Sequence, residues 1–447
     1  MAGAEFRPAH SGHSGAHSAC PGPGDELNVE QAWQKALPTT RWFAGKGRAI
    51  EGVRVVAEPW AVPPPSWPAV RTETITVRYA DGDAEDYVAI SAYRLQPQGS
   101  LDPDSVPVEL PGWGLLTLSD ATGDEVAFAA YLATLALADD LRGLPPRRLT
   151  VEQSNTSVKL GEKALFKLFR RPAPPPDREA LLLRRLARTG VAPELYGEVR
   201  GRDGRQAAIV VEYIDAIADG WQLACTSCAN QTDFSGSAFE LGRALRTMHH
   251  ALAGPWPAAL PPVTVSGVVP GRDLADAMLA RLTTTAAAVP AVVGMAADLR
   301  PVFEAISDIT VAVSQIHGDF HLGQALYRRS PAGWVIIDFE GEPLKSASER
   351  LAPDSPWRDV AGALRSFEYA RQSHADPRST AAQHWVVTTR RAFLEGYCGA
   401  AAVPAELLRA YVVDKALYEI RYEAQSRPNW VHIPLESVQD ELTRALP

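Results

Sequence analysis

The sequence predicts an α+β protein of two lobes with a small cap in front of them, and three observations lead to that reading. The first half alternates short apolar strands with polar or glycine-containing turns. The second half repeats apolar residues at helical spacing, as in Leu241, Leu245, Met248 and Leu252. One strand pair interrupts that helical half, around Ala332-Gly333. At 447 residues the chain is long enough for two or three domains with substantial cores.

The elements follow in order. Residues 1–24 are rich in Gly, Ala, Ser, Pro and His with no apolar stretch of the signal-peptide kind, and are expected to be a disordered extension. Residues 25–111 predict an α/β cap subdomain. It opens with a helix near Val29 to Leu37, followed by Arg41-Trp42-Phe43-Ala44-Gly45. Two strands, Thr74 to Tyr79 and Tyr87 to Ile90, then flank a turn at Asp81-Gly82-Asp83. Residues 112–215 predict an intermediate β-rich subdomain. It holds an Ala/Leu-rich helix over 123–141, a hairpin over 151–170, a helix over 177–188 and a second hairpin ending at Ile214. Residues 216–447 predict a mainly helical C-terminal lobe, with helical patterns over 274–282, 295–313, 380–397 and 405–425.

Composition narrows the partners. A net charge of -9 argues against a nucleic-acid backbone or an anionic membrane, and no apolar run is long enough to span a bilayer. A cytoplasmic monomer is expected. Cys225 and Cys228 form a lone C-x-x-C without a second pair, so a local disulfide or two free loop thiols are expected rather than a zinc site.

The chemistry is concentrated in Ser314-Gln315-Ile316-His317-Gly318-Asp319-Phe320-His321-Leu322-Gly323-Gln324, then Val335-Ile336-Ile337-Asp338-Phe339-Glu340. An acid on a tight turn, an amide shortly after it and a second acid closing an apolar strand are the parts that phosphoryl transfer from a nucleotide needs. Asp319 is the expected catalytic base, accepting a hydrogen bond from the attacking hydroxyl. Gln324 and Asp338 offer the oxygen ligands that magnesium prefers. Lys167, a cation inside an apolar strand, is the expected phosphate contact, with Glu179 as its partner. The polar turn Ser154, Asn155, Thr156 and Ser157 is expected over the phosphates, because the chain has no G-x-G-x-x-G or Walker sequence. Glu212, Tyr213 and Ile214 would pair an adenine through their backbone. His317 is expected to brace the turn and Asp359 to anchor it. His321 and Glu340 are placed to reach substrate, Glu340 alternatively metal.

The last long helix carries Glu419 and Glu423 on one face, followed by Gln425 and Trp430. An aromatic ring beside acids and amides suits a polyhydroxylated ring, with stacking on its face and hydrogen bonds at its edge.

On these motifs, with Glu152 to Ser157, Arg358-Asp359-Val360-Ala361-Gly362 and Tyr418 to Pro434, the chain resembles the actinobacterial maltokinase group. That group lies within the kinases that look like aminoglycoside phosphotransferases. The resemblance implies a two-lobed protein-kinase-like fold with a cap, and ATP with Mg2+ between the lobes. It covers maltokinases, which make maltose 1-phosphate, and glucosamine kinases. The strand Tyr87 to Tyr93 lacks the Val-Leu-Val run associated with maltokinases, and Gln425-Ser426 with Asn429 also departs from their pattern. The expected function is therefore an ATP- and Mg2+-dependent kinase converting D-glucosamine to glucosamine 6-phosphate. Maltokinase and aminoglycoside phosphotransferase are the enzymatic alternatives. A catalytically dead sugar or nucleotide sensor is the non-enzymatic one, and retention of Lys167, Asp319, Gln324 and Asp338 opposes it.

Overall fold

The structure is a computed structural model that describes residues 27–95, 105–149, 155–172, 175, 177–255, 266–342 and 345–443. The expected disordered extension and Ser154 lie outside these residues.

The cap begins with the helix Val29–Ala36, started by a capping box in which Asn28 and Gln31 exchange side-chain and backbone hydrogen bonds. It buries Ala32 and Trp33 among the residues of the cap core. The sheet beside it has strands β1 (Ile50–Ala57), β2 (Ala69–Tyr79), β3 (Ala84–Leu95), β4 (Val106–Leu110) and β5 (Gly114–Asp120), in the order β1-β2-β3-β5-β4. The expected hairpin is β2–β3, with Ile75 opposite Tyr87 and Gly82 at φ 88° in its turn. The sheet continues to Asp120, so a cap boundary at 111 would divide the β4–β5 hairpin.

The middle sheet has β6 (Pro146–Arg148), β7 (Asn155–Leu160), β8 (Ala164–Phe169), β9 (Leu195–Arg200) and β10 (Gln206–Glu212), in the order β6-β7-β8-β10-β9. The helix expected over 123–141 is shorter. It runs Glu125–Leu132, capped by Asp124, and the chain resumes helix only in Asp139–Arg142. Thr134 ends the first helix by giving both its N–H and its hydroxyl to the Tyr131 carbonyl. The helix Arg178–Leu186 fills the expected span after the proline run.

Arg170, directly after β8, joins cap and middle sheet. Its fully buried guanidinium donates to Thr156, Asp120, Thr122 and the Val88 carbonyl, and lies 4.4 Å from the centre of the Trp42 ring. Trp42 Nε1 in turn donates to Asp120 at 2.9 Å. Burial pulls the Arg170 pKa down to about 10, against the pull of Asp120.

The C-terminal lobe is mainly helical, but it has more strand than its periodicity suggests. β11 (Ala216–Asp219), β12 (Ser266–Pro270) and β13 (Thr310–Ser314) precede the expected hairpin of β14 (Ala325–Arg328) and β15 (Gly333–Ile336). β11 joins that hairpin as β11-β14-β15, and β12 pairs with β13. The helix expected over 295–313 therefore stops as Ala296–Glu304, and Thr310-Val311-Ala312-Val313 becomes strand, as its β-branched residues favour. The helices Ser235–Ala253 and Thr380–Cys398 approach through glycines: a Cβ on Gly242 would lie 2.2 Å from the Phe393 carbonyl oxygen. Cys225 and Cys228 sit on the helix Gly220–Ala229 rather than in a loop, and both are free thiols. No described helix is long and apolar enough to cross a membrane.

Candidate active site

Between the lobes lies a cleft of about 890 Å³ that Lys167, Glu179, Tyr213, Asp319, Gln324 and Asp338 all reach. The turn bearing Asp319 follows β13 and passes through Gly318 at φ 83°. Buried Asp359 holds it from below, accepting the His317 N–H at 2.7 Å, the Gly318 N–H at 2.9 Å and a bond from His249 Nε2 at 2.9 Å. Burial would raise the pKa of Asp359, but these donors outweigh it and leave it below the usual carboxylate range. His317 braces the same turn. Its Nδ1 accepts from the Asp319 N–H at 3.3 Å and its Nε2 donates to the Ile337 carbonyl at 2.9 Å, linking the loops of the two acids. His317 and Asp359 thus take the bracing and anchoring positions expected of them.

Asp338 stands at φ 65°, a left-handed conformation that costs energy for a residue with a side chain. Its Oδ1 accepts from Lys167 Nζ and its Oδ2 from Gln324 Nε2, each at 2.9 Å. Lys167 also contacts Glu179 at 2.9 Å and Glu340 at 2.5 Å. One ammonium thus faces three carboxylates, whose oxygens lie within 4.8 Å of one another. Burial works against the charge on Lys167, yet these acids hold its pKa well above the ordinary value. Asp338, despite its own burial, is pushed below the carboxylate range by Lys167. Glu179, the most enclosed of the three, pays for the shared cation: desolvation lifts it to about 7 against the pull of Lys167. A compact set of carboxylate oxygens beside the Gln324 amide is the hard donor set that suits magnesium.

Sequence reasoning did not single out Arg178. Its guanidinium, buried beside Glu179, donates to four carbonyls: Ile316 at 2.6 Å, His317 at 3.1 Å, Arg350 at 2.8 Å, and Phe339. One side chain from the middle subdomain therefore grips both acidic loops. Gly318 and Gly341, both at positive φ, make room for it, since a Cβ on either would stand 3.3 to 3.4 Å from the guanidinium. In the sequence it is only an arginine before Glu179 at the start of a leucine-rich helix, and its carbonyl partners lie far away along the chain.

Glu212, Tyr213 and Ile214 line the cleft. The Glu212 carboxylate is bonded to Arg328 at 3.0 Å, and the Tyr213 N–H is bonded to the Lys163 carbonyl at 2.9 Å. Asn155, Thr156 and Ser157 need correction. They are not a loop but the first residues of β7. Alternation along the strand turns buried Thr156 to Arg170, and buried Ser157 stands opposite Lys167 in register. Only Asn155 reaches the cleft, donating to Glu340 at 2.7 Å.

His321 is exposed, and its Nδ1 accepts from the Gly323 N–H at 3.1 Å, capping the short turn that delivers Gln324. The pair of free acids expected on the last long helix is not what forms. Glu419 is bonded to buried Arg365 at 2.8 Å. Glu423 is buried and held by Arg427 at 2.6 Å and by the Tyr369 hydroxyl at 3.3 Å. Trp430 stacks on Tyr369 with ring centres 6.4 Å apart, and Gln425 is exposed at the helix end. From this helix Lys415 meets the turn of Asp319, with its Nζ 3.5 Å from that carboxylate.

Two lobes, a lysine–carboxylate cluster and an anchored acidic turn define a kinase-type phosphotransferase. Residues 146–397, more than half of the chain, match the phosphotransferase enzyme family, and the chain belongs to it. Residues 37–124 match the maltokinase N-terminal cap domain, and this match bridges the β4–β5 hairpin. Among curated proteins the chain is similar to a glucosamine kinase of Streptacidiphilus jiangxiensis, 28% identical over 67% of this chain and 74% of the relative. A glucosamine kinase of Mycolicibacterium smegmatis is 27% identical over 66% of this chain and 80% of that protein. Its fold is shared with a solved glucosamine kinase in complex with glucosamine, ADP and inorganic phosphate, at TM-score 0.63 and 20% identity, covering 91% of this chain and 98% of that one.

Proposed function

We propose that this phosphotransferase is an ATP- and magnesium-dependent sugar kinase that converts D-glucosamine to glucosamine 6-phosphate. The observation that carries the transfer chemistry is the convergence of Lys167 on Asp338 within the cleft that Asp319 also lines. The amino sugar is supported by the two curated relatives, both glucosamine kinases.

In this reading the adenine lies against the strand end at Glu212. Because the Tyr213 N–H is already bonded, recognition falls to the Glu212 carbonyl and the Ile214 N–H. Lys167, held by Glu179, contacts the phosphates. Gln324 and Asp338, with Glu340 beside them, would hold magnesium, which supplies neutralisation of phosphate charge. Asp319 accepts the hydrogen bond of the acceptor hydroxyl and aims its oxygen in line with the phosphorus. His321, beside the turn of Asp319, borders the acceptor end. A monomer in the cytoplasm, where ATP is abundant, completes the proposal.

The test is magnesium-dependent ATP consumption with glucosamine, glucose, maltose and aminoglycosides as acceptors. Preference for glucosamine is expected. Preference for maltose is the second outcome to watch, because the cap matches that of maltokinases. It would overturn the substrate and leave the kinase chemistry intact.

A further inference from the structure

Lys415 lies in the middle of the helix Ala405–Ser426, whose packing against the lobe is supplied by Val412, Val413, Ala416 and Leu417. Its side chain is only 18% exposed and ends 3.5 Å from Oδ1 of Asp319, itself 24% exposed. The ammonium also stands 4.8 Å from the Tyr418 ring centre, a second contact suited to a cation. A flexible lysine drawn out of water and set against the acceptor-side acid is an expensive arrangement if it serves only the fold.

We propose that Lys415 is a catalytic residue on the acceptor side of the cleft. In the nucleotide-free protein it neutralises Asp319. During transfer its ammonium contacts the oxygens of the migrating phosphoryl group, and it stays on the phosphate of the product. The proposal rests on the assignment of Asp319 as the acceptor-side base.

The geometry follows from the reaction. The acceptor oxygen must hydrogen-bond Asp319 and lie about 3–3.5 Å from the phosphorus. A cation in contact with Asp319 is therefore within side-chain reach of the equatorial phosphoryl oxygens. Lys167 is committed on the other side, among Glu179, Asp338 and Glu340. The bond from acceptor oxygen to phosphorus forms as the bond from phosphorus to the β-bridging oxygen breaks. The hydroxyl proton passes to Asp319 and then to solvent, and ADP departs with the bridging oxygen. Lys415 keeps its proton throughout and offsets the charge spread over the three transferred oxygens.

The decisive measurement needs no sugar, so it stays separate from the choice of acceptor. Calorimetric titration of inorganic phosphate into the Mg·ADP-loaded protein compares wild type with Lys415→Met and Lys415→Arg. The Met variant should bind phosphate at least tenfold more weakly, and the Arg variant within about threefold of wild type. With whichever acceptor the panel identifies, Lys415→Met should lower kcat roughly 100- to 1,000-fold with the KM for ATP little changed. Lys415→Gln provides the same comparison if the Met variant does not fold. Equal phosphate affinity in wild type and variant, including none in either, overturns the proposal, as does a kcat within threefold of wild type.

Discussion

Lys167 on β8 of the middle sheet reaches Asp338, just beyond β15 of the helical lobe, at 2.9 Å, and so joins the two lobes through the groups proposed to hold phosphate and metal. Removing the cation leaves three clustered carboxylates facing one another. Lys167→Met should lower kcat by about 100-fold or more. It should also make magnesium a larger stabiliser, so the melting temperature of the variant should rise further than that of wild type when magnesium chloride is added. An equal rise in both proteins would remove the cluster from the metal site.

Arg178 predicts a purely structural loss. Replacing it with Met strands the carbonyls of Ile316, His317, Phe339 and Arg350, at a cost of several kcal/mol, on the order of 3–5. Lysine cannot reproduce the fork of donors, so Arg178→Lys should recover little. Urea unfolding measures both, and a loss below about 1 kcal/mol for the Met variant would contradict the grip described.

Glu179 gives the protein a pH signature. Its folded pKa of about 7 lies above the ordinary 4.5, so the folded state keeps a proton that the unfolded chain has released. The stabilisation from that proton is complete below pH 4.5 and is lost as pH rises through 7. In the absence of nucleotide and metal, the stability of wild type relative to Glu179→Gln should fall across this interval, measured by denaturant unfolding at a series of pH values. A flat difference would mean that Glu179 is ionised throughout.

Asp319→Asn keeps the shape of the turn and removes the acceptor for the hydroxyl proton. A drop in kcat of roughly 100- to 10,000-fold is expected, with ATP binding within a fewfold of wild type. Near-normal turnover in steady-state assays would move the base elsewhere.

Much of this was legible because it is local. The His317-Gly318-Asp319 motif and the apolar strand leading to Asp338 are recognisable from contiguous residues, although Asp359 and Arg178 hold the turn from a distance, and the alternation in β2 and β3 reads directly as a hairpin. What escaped was set by distant partners. Thr156 looked like part of a phosphate-binding turn until Arg170 was seen to take its hydroxyl. Glu419 and Glu423 looked free because Arg365 and Tyr369 belong to another helix. Arg178 gives no local sign of the carbonyls it grips, and Lys415 reads only as a cation on the helix face of Glu419 and Glu423, since the carboxylate it meets lies far away in sequence. β12 and β13 escaped because each is short and pairs across a long intervening stretch.

The seam around Arg170 bears on how the cap could be exchanged or evolve. The residue that closes it lies three positions after Lys167, and its partners Trp42, Val88 and Asp120 all belong to the cap sheet or its entry. Cutting the cap away would strip the Arg170 guanidinium of its counter-charge Asp120 and its indole cover at the end of β8, the strand that carries Lys167. A transplanted cap would have to bring an indole and a carboxylate to the same two places, so cap and catalytic body are constrained to change together.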